Sequence, residues 1–267
     1  MRLQILRTAL YLPPTVQTAA ELAPLIGRSE RWIVERTGVL ERRVSTEPMH
    51  ELAARVLTQV LGDGPLPDLL INASMTPVQL IPDSSVFIQR SMKWQEIPSF
   101  SIHATCMSFM LALHNAAALL HAGAYDRVAV VSAEQASLSR DWGHPESAAL
   151  IGDGAAAVIL QRTPEGEGSE LLAWSQSTWP QGADLAEIRG GGTRLHPNDP
   201  ATVPADNLFR MRGTRIYKMA VQRVVDLANE LVAQAGISWD DIDVVVPHQA
   251  SGPGVMATSK FLPVSRD

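Results

Sequence analysis

Short apolar runs alternate with amphipathic segments along the first 133 residues of the chain. The apolar runs predict strands at residues 2–12, 39–44, 68–74, 98–102 and 127–133. The amphipathic segments predict helices at residues 18–26, 48–61, 83–94 and 106–122. Ser29 is expected to cap a further turn, which Gly38 ends. Strands separated by helices are typical of a layered α/β domain with a mostly parallel sheet.

The segment from Cys106 to Ala122 is apolar on nearly every face and is expected to lie inside the protein. Its N-terminus would then be a buried end, where free amides and the helix dipole favour the thiolate form of Cys106. A cysteine activated in this way is a candidate nucleophile. The alternative interpretation is that Cys106 is only a small buried hydrophobic residue.

The run IGDGAAAVILQ, residues 151–161, contains the pattern G-x-G-x-x-A of a dinucleotide-binding turn. That turn needs a helix after the glycines, whereas Val158 to Leu160 predict a strand, so we expect no dinucleotide site. A strand and a hairpin into residues 171–179 explain the run better. Residues 180–208, which contain three consecutive glycines and four prolines, predict a long structured loop.

A long amphipathic helix is predicted at residues 214–235, and the residues at its leading end are basic. The basic residues are Arg210, Arg212, Arg215, Lys218 and Arg223. Such a patch suits phosphate groups or an acidic protein, but a solvated helix face gives the same pattern.

His248 follows a predicted strand at residues 243–246 and Pro247. Catalytic groups in open α/β sheets gather where strands end, so His248 is a candidate catalytic residue. His103, three residues before Cys106, is the rival candidate.

Composition narrows the class of protein. With 267 residues, 46% hydrophobic and 19% charged, the chain predicts a globular protein of one large domain or two similar halves. A single cysteine excludes an internal disulfide and suits a reducing cytosol. The sequence has no apolar run of eighteen residues and no cleavable leader, so we expect a soluble cytoplasmic protein without membrane contact. A net charge of −6 argues against nucleic-acid binding.

Five segments occur in the order and context of one enzyme family: WIVERTGVLERR, HATCMSF, GDGAAAVIL, MRGTRIYKMAVQRV and DIDVVVPHQAS. On these segments the chain resembles β-ketoacyl-ACP synthase III, a family of thiolase-like condensing enzymes. The resemblance implies a thiolase-like fold, in which two similar βαβαβ halves form an α/β/α/β/α arrangement. The halves would comprise residues 1–165, which carry the nucleophile, and residues 166–267, which would be incomplete.

The same resemblance implies the chemistry. Cys106 would be acylated by an acyl-CoA or acyl-ACP thioester, and its amide would form part of the oxyanion hole. A malonyl-ACP or malonyl-CoA thioester would lose carbon dioxide, and His248 would donate a hydrogen bond to the enolate oxygen. The resulting carbanion would attack the acyl group on Cys106 and form a carbon–carbon bond.

Four further residues receive roles from the resemblance. Trp32 and Arg36 would contact the adenine and phosphate end of coenzyme A. Lys218 and Lys260 would contact the acidic acyl carrier protein, although ordinary surface solvation explains both lysines equally well. We expect a homodimer with no cofactor beyond the coenzyme A thioester substrates. Metal binding is not expected, since His114 and His121 have no third ligand at suitable spacing.

The chain also departs from the family pattern. Met107 and Ser108 follow the nucleophile where the family has a small residue and then glycine. Pro145 and Glu146 stand where a basic contact to coenzyme A is often found, and Pro253 replaces a basic residue. These differences favour a specialised homologue in secondary metabolism at least as much as the fatty-acid initiating enzyme.

The sequence stops 19 residues after His248, before the asparagine and the oxyanion-hole glycine of the family. We therefore expect a C-terminally truncated chain. Two alternatives to the condensing enzyme stay open. One is an acyltransferase that moves the acyl group to an alcohol or amine; the other is an acyl-binding fragment that is acylated but cannot turn over.

Overall fold

The computed structural model describes residues 1–263. The strands among these residues are β1 Gln4–Tyr11, β2 Thr15–Thr18, β3 Glu41–Val44, β4 Leu69–Asn72, β5 Ser99–Ser101, β6 Arg127–Glu134, β7 Gly154–Gln161, β8 Ala186–Glu187 and β9 Arg210–Met211. The α-helices among them are α1 Ala19–Leu22, α2 Glu30–Thr37, α3 Met49–Leu61, α4 Ser84–Met92, α5 Ser108–His121, α6 Pro145–Ala148, α7 Gly213–Ala235 and α8 Gly252–Ser259. In this part of the chain, every helix is too short or too polar to cross a membrane.

The chain divides into two compact units, and each is discontinuous in sequence. Unit 1 comprises Met1–Val16, Arg43–Ala136 and Gly152–Leu172. Unit 2 comprises Gln17–Arg42, Ser137–Ile151 and Ala173–Asp267. Two segments within the predicted first half therefore belong to unit 2. The division into residues 1–165 and 166–267 remains a prediction, and residues 264–267 lie outside the described part.

Unit 1 is built on a five-stranded sheet with the order β1-β7-β6-β4-β5. β4 pairs in parallel with β5 and with β6, whereas β7 is antiparallel to both β6 and β1. The sheet is therefore mixed, and the prediction of a mostly parallel sheet is wrong. The predicted strand at residues 158–160 is confirmed within β7, and no helix follows the glycines there.

Strand β4 is buried on both faces, which explains why its first three residues, Leu69, Leu70 and Ile71, are all apolar. Leu70 packs in one cluster with apolar residues of α3 and α4. Leu69 and Ile71 point to the opposite face and pack with Ala116 and Leu120 of α5. This alternation follows from the two-residue period of a strand, and it gives unit 1 helices on both faces of its sheet.

Unit 2 contains a small cluster in which α1 and α2 pack with Ala148 and Ala149. The Ser29 hydroxyl accepts a hydrogen bond from the Trp32 N–H at 3.1 Å and caps α2, as the sequence predicts. Gly38 ends α2 with a left-handed φ of 78°. A Cβ on Gly38 would lie 3.1 Å from the Cα of Gly252, so the end of α2 and the start of α8 approach each other backbone to backbone.

Two predicted strands do not form. Residues 171–179 have no strand, because β7 already has β1 on one edge and β6 on the other and offers no place for a hairpin partner. Residues 243–246 have no strand either, because none of the described strands pairs with them. Val244 and Val246 are accordingly 73% and 82% exposed. The predicted long loop at residues 180–208 is confirmed, with only short 3₁₀ turns and β8 inside it.

The double burial of β4 gives a test of the core. Replacing Leu70, which is 0% exposed, with alanine removes contacts with two helices and is expected to lower the free energy of unfolding by about 2–5 kcal/mol. The matched control is Leu80→Ala, since Leu80 is 71% exposed, and it is expected to change stability by less than about 0.5 kcal/mol. Urea unfolding followed by circular dichroism measures both. Equal losses in the two variants would contradict this description of the sheet.

Candidate active site

One edge of the unit 1 sheet collects the chemically distinctive residues. β4, β5 and β6 are parallel, so their carboxyl ends meet at this edge, and antiparallel β7 begins there, with Gly154 paired to Glu134. Met75 follows β4, Cys106 follows β5, and Glu134 is the last residue of β6. Carboxyl ends of parallel strands are the usual place for catalytic groups in α/β proteins.

Cys106 lies in a 3₁₀ turn, Thr105–Met107, which leads directly into α5. Thr105 has a φ of 52°, a left-handed conformation that is strained for a β-branched residue. The Ser108 hydroxyl accepts a hydrogen bond from the Ala104 N–H at 2.9 Å and donates one to the Thr105 carbonyl at 2.7 Å. The nucleophile candidate therefore sits in a turn whose unusual conformation is held by its neighbours.

The expected burial of this helix is only partly correct. α5 buries one face against the sheet, through Ser108, Ala112, Ala116, Ala117 and Leu120. Its opposite side is open: Met110 is 45% exposed, and Cys106 itself is exposed. Ser108, the first residue of α5, is buried, whereas Cys106 and Met107 just before it are exposed, so the prediction of a buried end is correct for the helix and wrong for the nucleophile.

The predicted lowering of the thiol pKa is also wrong. Desolvation raises the pKa of Cys106, and the negative charge of Glu134 raises it further. The backbone N–H of Cys106 acts in the opposite direction and lowers the pKa. Desolvation outweighs this amide, so the pKa of Cys106 lies above its usual value.

Glu134 is a residue that the sequence analysis missed. Its carboxylate accepts hydrogen bonds from the backbone N–H groups of Met75 and, at 3.4 Å, Thr76. Desolvation nevertheless raises the pKa of Glu134 to about 7, and the nearby charge of Asp153 adds to the effect. Glu134 is therefore close to half ionised at neutral pH. The available signal was an acidic residue at the end of a mostly apolar strand.

Asp153 connects the glycine-rich motif to this edge of the sheet. It is 6% exposed and accepts a hydrogen bond from the Ser45 N–H at 2.8 Å. Asp153 lies in the run that predicts the start of a strand. Its hydrogen bond with Ser45 holds the chain in place just before β7 begins. The GDG motif has a structural role here that needs no phosphate.

The two histidine candidates occupy different surroundings. His103 is exposed and lines a cavity of about 380 Å³ in unit 1, together with Ser101 and Met75. His248 belongs to unit 2 and is exposed in an irregular segment before α8. Within residues 1–263 no hydrogen bond of its ring is found. Its pairing with Cys106 stays a prediction.

Arg36 lines a cavity of about 280 Å³ in unit 2. The start of α7, through Gly213 and Tyr217, and the start of α8, through Gly254, form other parts of the wall. Glu146 also lines this cavity, and its carboxylate lies 3.5 Å from the Arg36 guanidinium, which partly neutralises the arginine.

The remaining predicted residues also belong to unit 2. Trp32 is half-buried in the α1–α2 cluster, with the Arg28 guanidinium 5.4 Å from its ring centre. Lys218 is exposed on α7, and Lys260 is exposed directly after α8. Their predicted contacts with coenzyme A and carrier protein stay predictions. Among residues 1–263, no three His, Cys, Asp or Glu side chains are grouped to hold a metal ion.

Comparison with known proteins shows which family the chain resembles, and the residues of this sheet edge lie in the matched segment. The family model for 3-oxoacyl-[acyl-carrier-protein (ACP)] synthase III matches residues 100–179, which include Cys106, Glu134 and Asp153. Beta-ketoacyl-[acyl-carrier-protein] synthase III of Oceanobacillus iheyensis is 31% identical over all of this chain and 82% of its own length. Synthase III 2 of Vibrio vulnificus is 34% identical over 90% of this chain, which spans 66% of that relative's length.

Solved structures give the same result. The 3-oxoacyl-[acyl-carrier-protein] synthase III of Aquifex aeolicus superposes with a TM-score of 0.87, at 28% identity, over 99% of this chain and 82% of its own. The enzyme of Thermus thermophilus superposes with a TM-score of 0.85, at 30% identity, over 98% of this chain and 81% of its own. The fold class predicted in the sequence analysis is confirmed.

The charge of Glu134 gives a test of this site. Above about pH 7 Glu134 is ionised and raises the pKa of Cys106, so Glu134→Gln is expected to move the alkylation of Cys106 to lower pH. The measurement is the rate of reaction with iodoacetamide between about pH 6 and pH 10. Glu165→Gln, at an exposed position of unit 1, is the control and should leave the profile unchanged. A profile of Glu134→Gln that stays in place or moves to higher pH would exclude this electrostatic coupling.

Proposed function

The chain belongs to the β-ketoacyl-ACP synthase III family, and we propose that it condenses an acyl thioester, held on Cys106, with a malonyl thioester. The observation that carries the proposal is the position of Cys106: a strained turn after β5, at the start of α5, inside the segment that the family model matches. It is also the one cysteine in the sequence.

In the first step the Cys106 sulfur attacks the carbonyl carbon of an acyl-CoA or acyl-ACP thioester. The bond from that carbon to the departing sulfur breaks, and the thiol of coenzyme A or of the carrier protein leaves with the proton of Cys106. One thioester replaces another, so the step is nearly balanced in free energy. The thiolate of Cys106 is the form that attacks.

In the second step a malonyl thioester loses carbon dioxide and becomes an enolate. This charge needs hydrogen-bond donors aimed at the thioester oxygen, and His248 is the proposed donor through its ring N–H. The enolate carbon then attacks the acyl group on Cys106, which releases the thiolate and forms the β-ketoacyl product. The Cys106 N–H is the proposed donor to the oxygen of that acyl group.

The unit 2 cavity is the proposed place for the pantetheine arm of coenzyme A. Its lining combines apolar side chains such as Met211 with the hydroxyl groups of Thr214 and Tyr217, which suits a chain of alternating methylene and amide groups. Arg36 would pair with a phosphate, and Trp32 would stack with the adenine. Lys218 and Lys260 are the proposed contacts to the acidic carrier protein.

We further propose that the enzyme is a homodimer of the cytoplasm and uses no cofactor beyond its thioester substrates. The single cysteine agrees with a reducing compartment. Transfer to an alcohol or amine, and acyl binding without turnover, are not favoured by any feature of the described residues. Both are kept as outcomes of the experiment below.

The test incubates the protein with radiolabelled acyl-CoA and then adds malonyl-ACP. We expect label on Cys106, its absence in Cys106→Ala, and release of a β-ketoacyl product after the addition. His248→Ala is expected to keep the label but to lose condensation by about 100-fold, because the enolate loses a donor. Label that is never released would indicate an acyl binder, and label released only to an alcohol or amine would indicate the acyltransferase. No label on Cys106 would refute the proposal.

Arg36 allows a separate test of coenzyme A binding. Arg36→Ala is expected to raise the KM for acyl-CoA by about 3- to 10-fold with little change in kcat. The effect is modest because Arg36 is exposed and already forms an ion pair with Glu146, which weakens its contact with a phosphate. Arg31→Ala removes an exposed arginine from the same helix and is the matched control. Steady-state kinetics measure both variants. An unchanged KM in Arg36→Ala would place the phosphate elsewhere.

A further inference from the structure

The Ser108 side chain is hydrogen-bonded to the two residues that precede the nucleophile. It is 1% exposed, and its hydroxyl makes the two hydrogen bonds with Ala104 and Thr105 described above. We refer to this pair of bonds as the Ser108 bridge. A glycine, which the family resemblance places at this position, has no hydroxyl and cannot form it. The bridge is therefore a feature of this chain's own sequence.

The bridge spans the part of the backbone that is strained. Thr105, with its φ of 52°, lies between the two bonded groups, and the Met107 N–H donates to the Ala104 carbonyl at 3.1 Å across the same turn. A β-branched residue stays in the left-handed region only where the surrounding structure fixes it. The bonds from Ser108 join both sides of Thr105 to the first residue of α5, so they oppose relaxation of the turn.

The turn also determines how Cys106 is oriented. Cys106 directly follows the strained Thr105 within the turn Thr105–Met107, so the backbone angles of the turn set the direction of its side chain and of its amide. From the neighbouring strand β6, Glu134 is the charged group that acts on the thiol, and Asp153 in turn acts on Glu134. Ser108 carries no charge, so any effect it has on Cys106 must be exerted through geometry.

We propose that Ser108 is a positioning residue for Cys106: its hydroxyl holds residues 104–107 in the strained conformation that aims the sulfur and the amide at the acyl group. The inference rests on the proposed role of Cys106 as the acylated nucleophile. Small displacements of a reacting group lower rates strongly, since productive attack needs a narrow range of distances and angles.

The experiment compares variants that remove or keep the hydroxyl. Ser108→Ala and Ser108→Gly remove it, and Ser108→Thr keeps it. The matched control is Ser45→Ala, because the Ser45 hydroxyl also bridges two backbone groups of unit 1, accepting from the Glu47 N–H at 2.9 Å and donating to the Glu47 carbonyl at 3.0 Å. Each variant is measured for urea unfolding, for the single-turnover rate of acylation by labelled acyl-CoA, and for the pH midpoint of alkylation by iodoacetamide.

We expect Ser108→Ala and Ser108→Gly to acylate at least about 10-fold more slowly at saturating acyl-CoA. Their alkylation midpoints should differ from that of the parent, because the thiol is no longer held at a fixed distance from the Glu134 carboxylate. Ser108→Thr should recover most of the rate. Ser45→Ala should lose comparable stability but neither rate nor midpoint.

The inference is overturned if Ser108→Ala acylates and alkylates as the parent does, or if Ser45→Ala slows as much. If Ser108→Ala is unfolded, Ser108→Gly and Ser108→Thr decide between the same outcomes. Absence of label on the parent protein would refute the proposed function alone. The alkylation midpoints of the same variants would then decide the role of Ser108.

Discussion

The structure of unit 1 depends on a strand that must be covered on both faces. The first three residues of β4 are apolar because Leu70 packs against α3 and α4 while Leu69 and Ile71 pack against α5. The chain passes from β4 through α4 to β5 and from β5 through α5 to β6, and crossover connections of this kind join parallel strands. β4, β5 and β6 therefore run in the same direction, and the residues that follow them arrive at one edge. The chemistry of the site is a consequence of how the core is covered.

Several elements of the chain could be predicted from the sequence because local patterns define them. The helix ending at Leu61 and the cap at Ser29 needed only neighbouring residues. The strands predicted at residues 171–179 and 243–246 were wrong for one physical reason. A strand forms only where another strand is free to pair with it. No pattern within either segment reports whether a partner edge is occupied. For the same reason, the local pattern of β7 could not predict that this strand runs antiparallel to β6.

The candidate site was predictable in its nucleophile but not in its electrostatics. Cys106 was found because it begins an apolar helix, yet its exposure and its raised pKa depend on what packs around it. Glu134 has no motif of its own, because a single acid at the end of a strand is common on protein surfaces. Only the arrangement of three strand ends shows that its carboxylate holds the loop after β4 and acts on the thiol.

The contact between Gly38 and Gly252 has a consequence for the unit 2 cavity. The two backbones touch without side chains between them, and Arg36 and Gly254, on either side of that contact, both belong to the cavity wall. The spacing of these two walls is thus fixed by main-chain atoms, which do not change when side chains are exchanged. Substitutions at Thr214 or Pro253 can therefore alter the polarity of the lining while the width of the unit 2 cavity remains constant. The type of ligand that the cavity accepts can therefore change without a change in the width available to it.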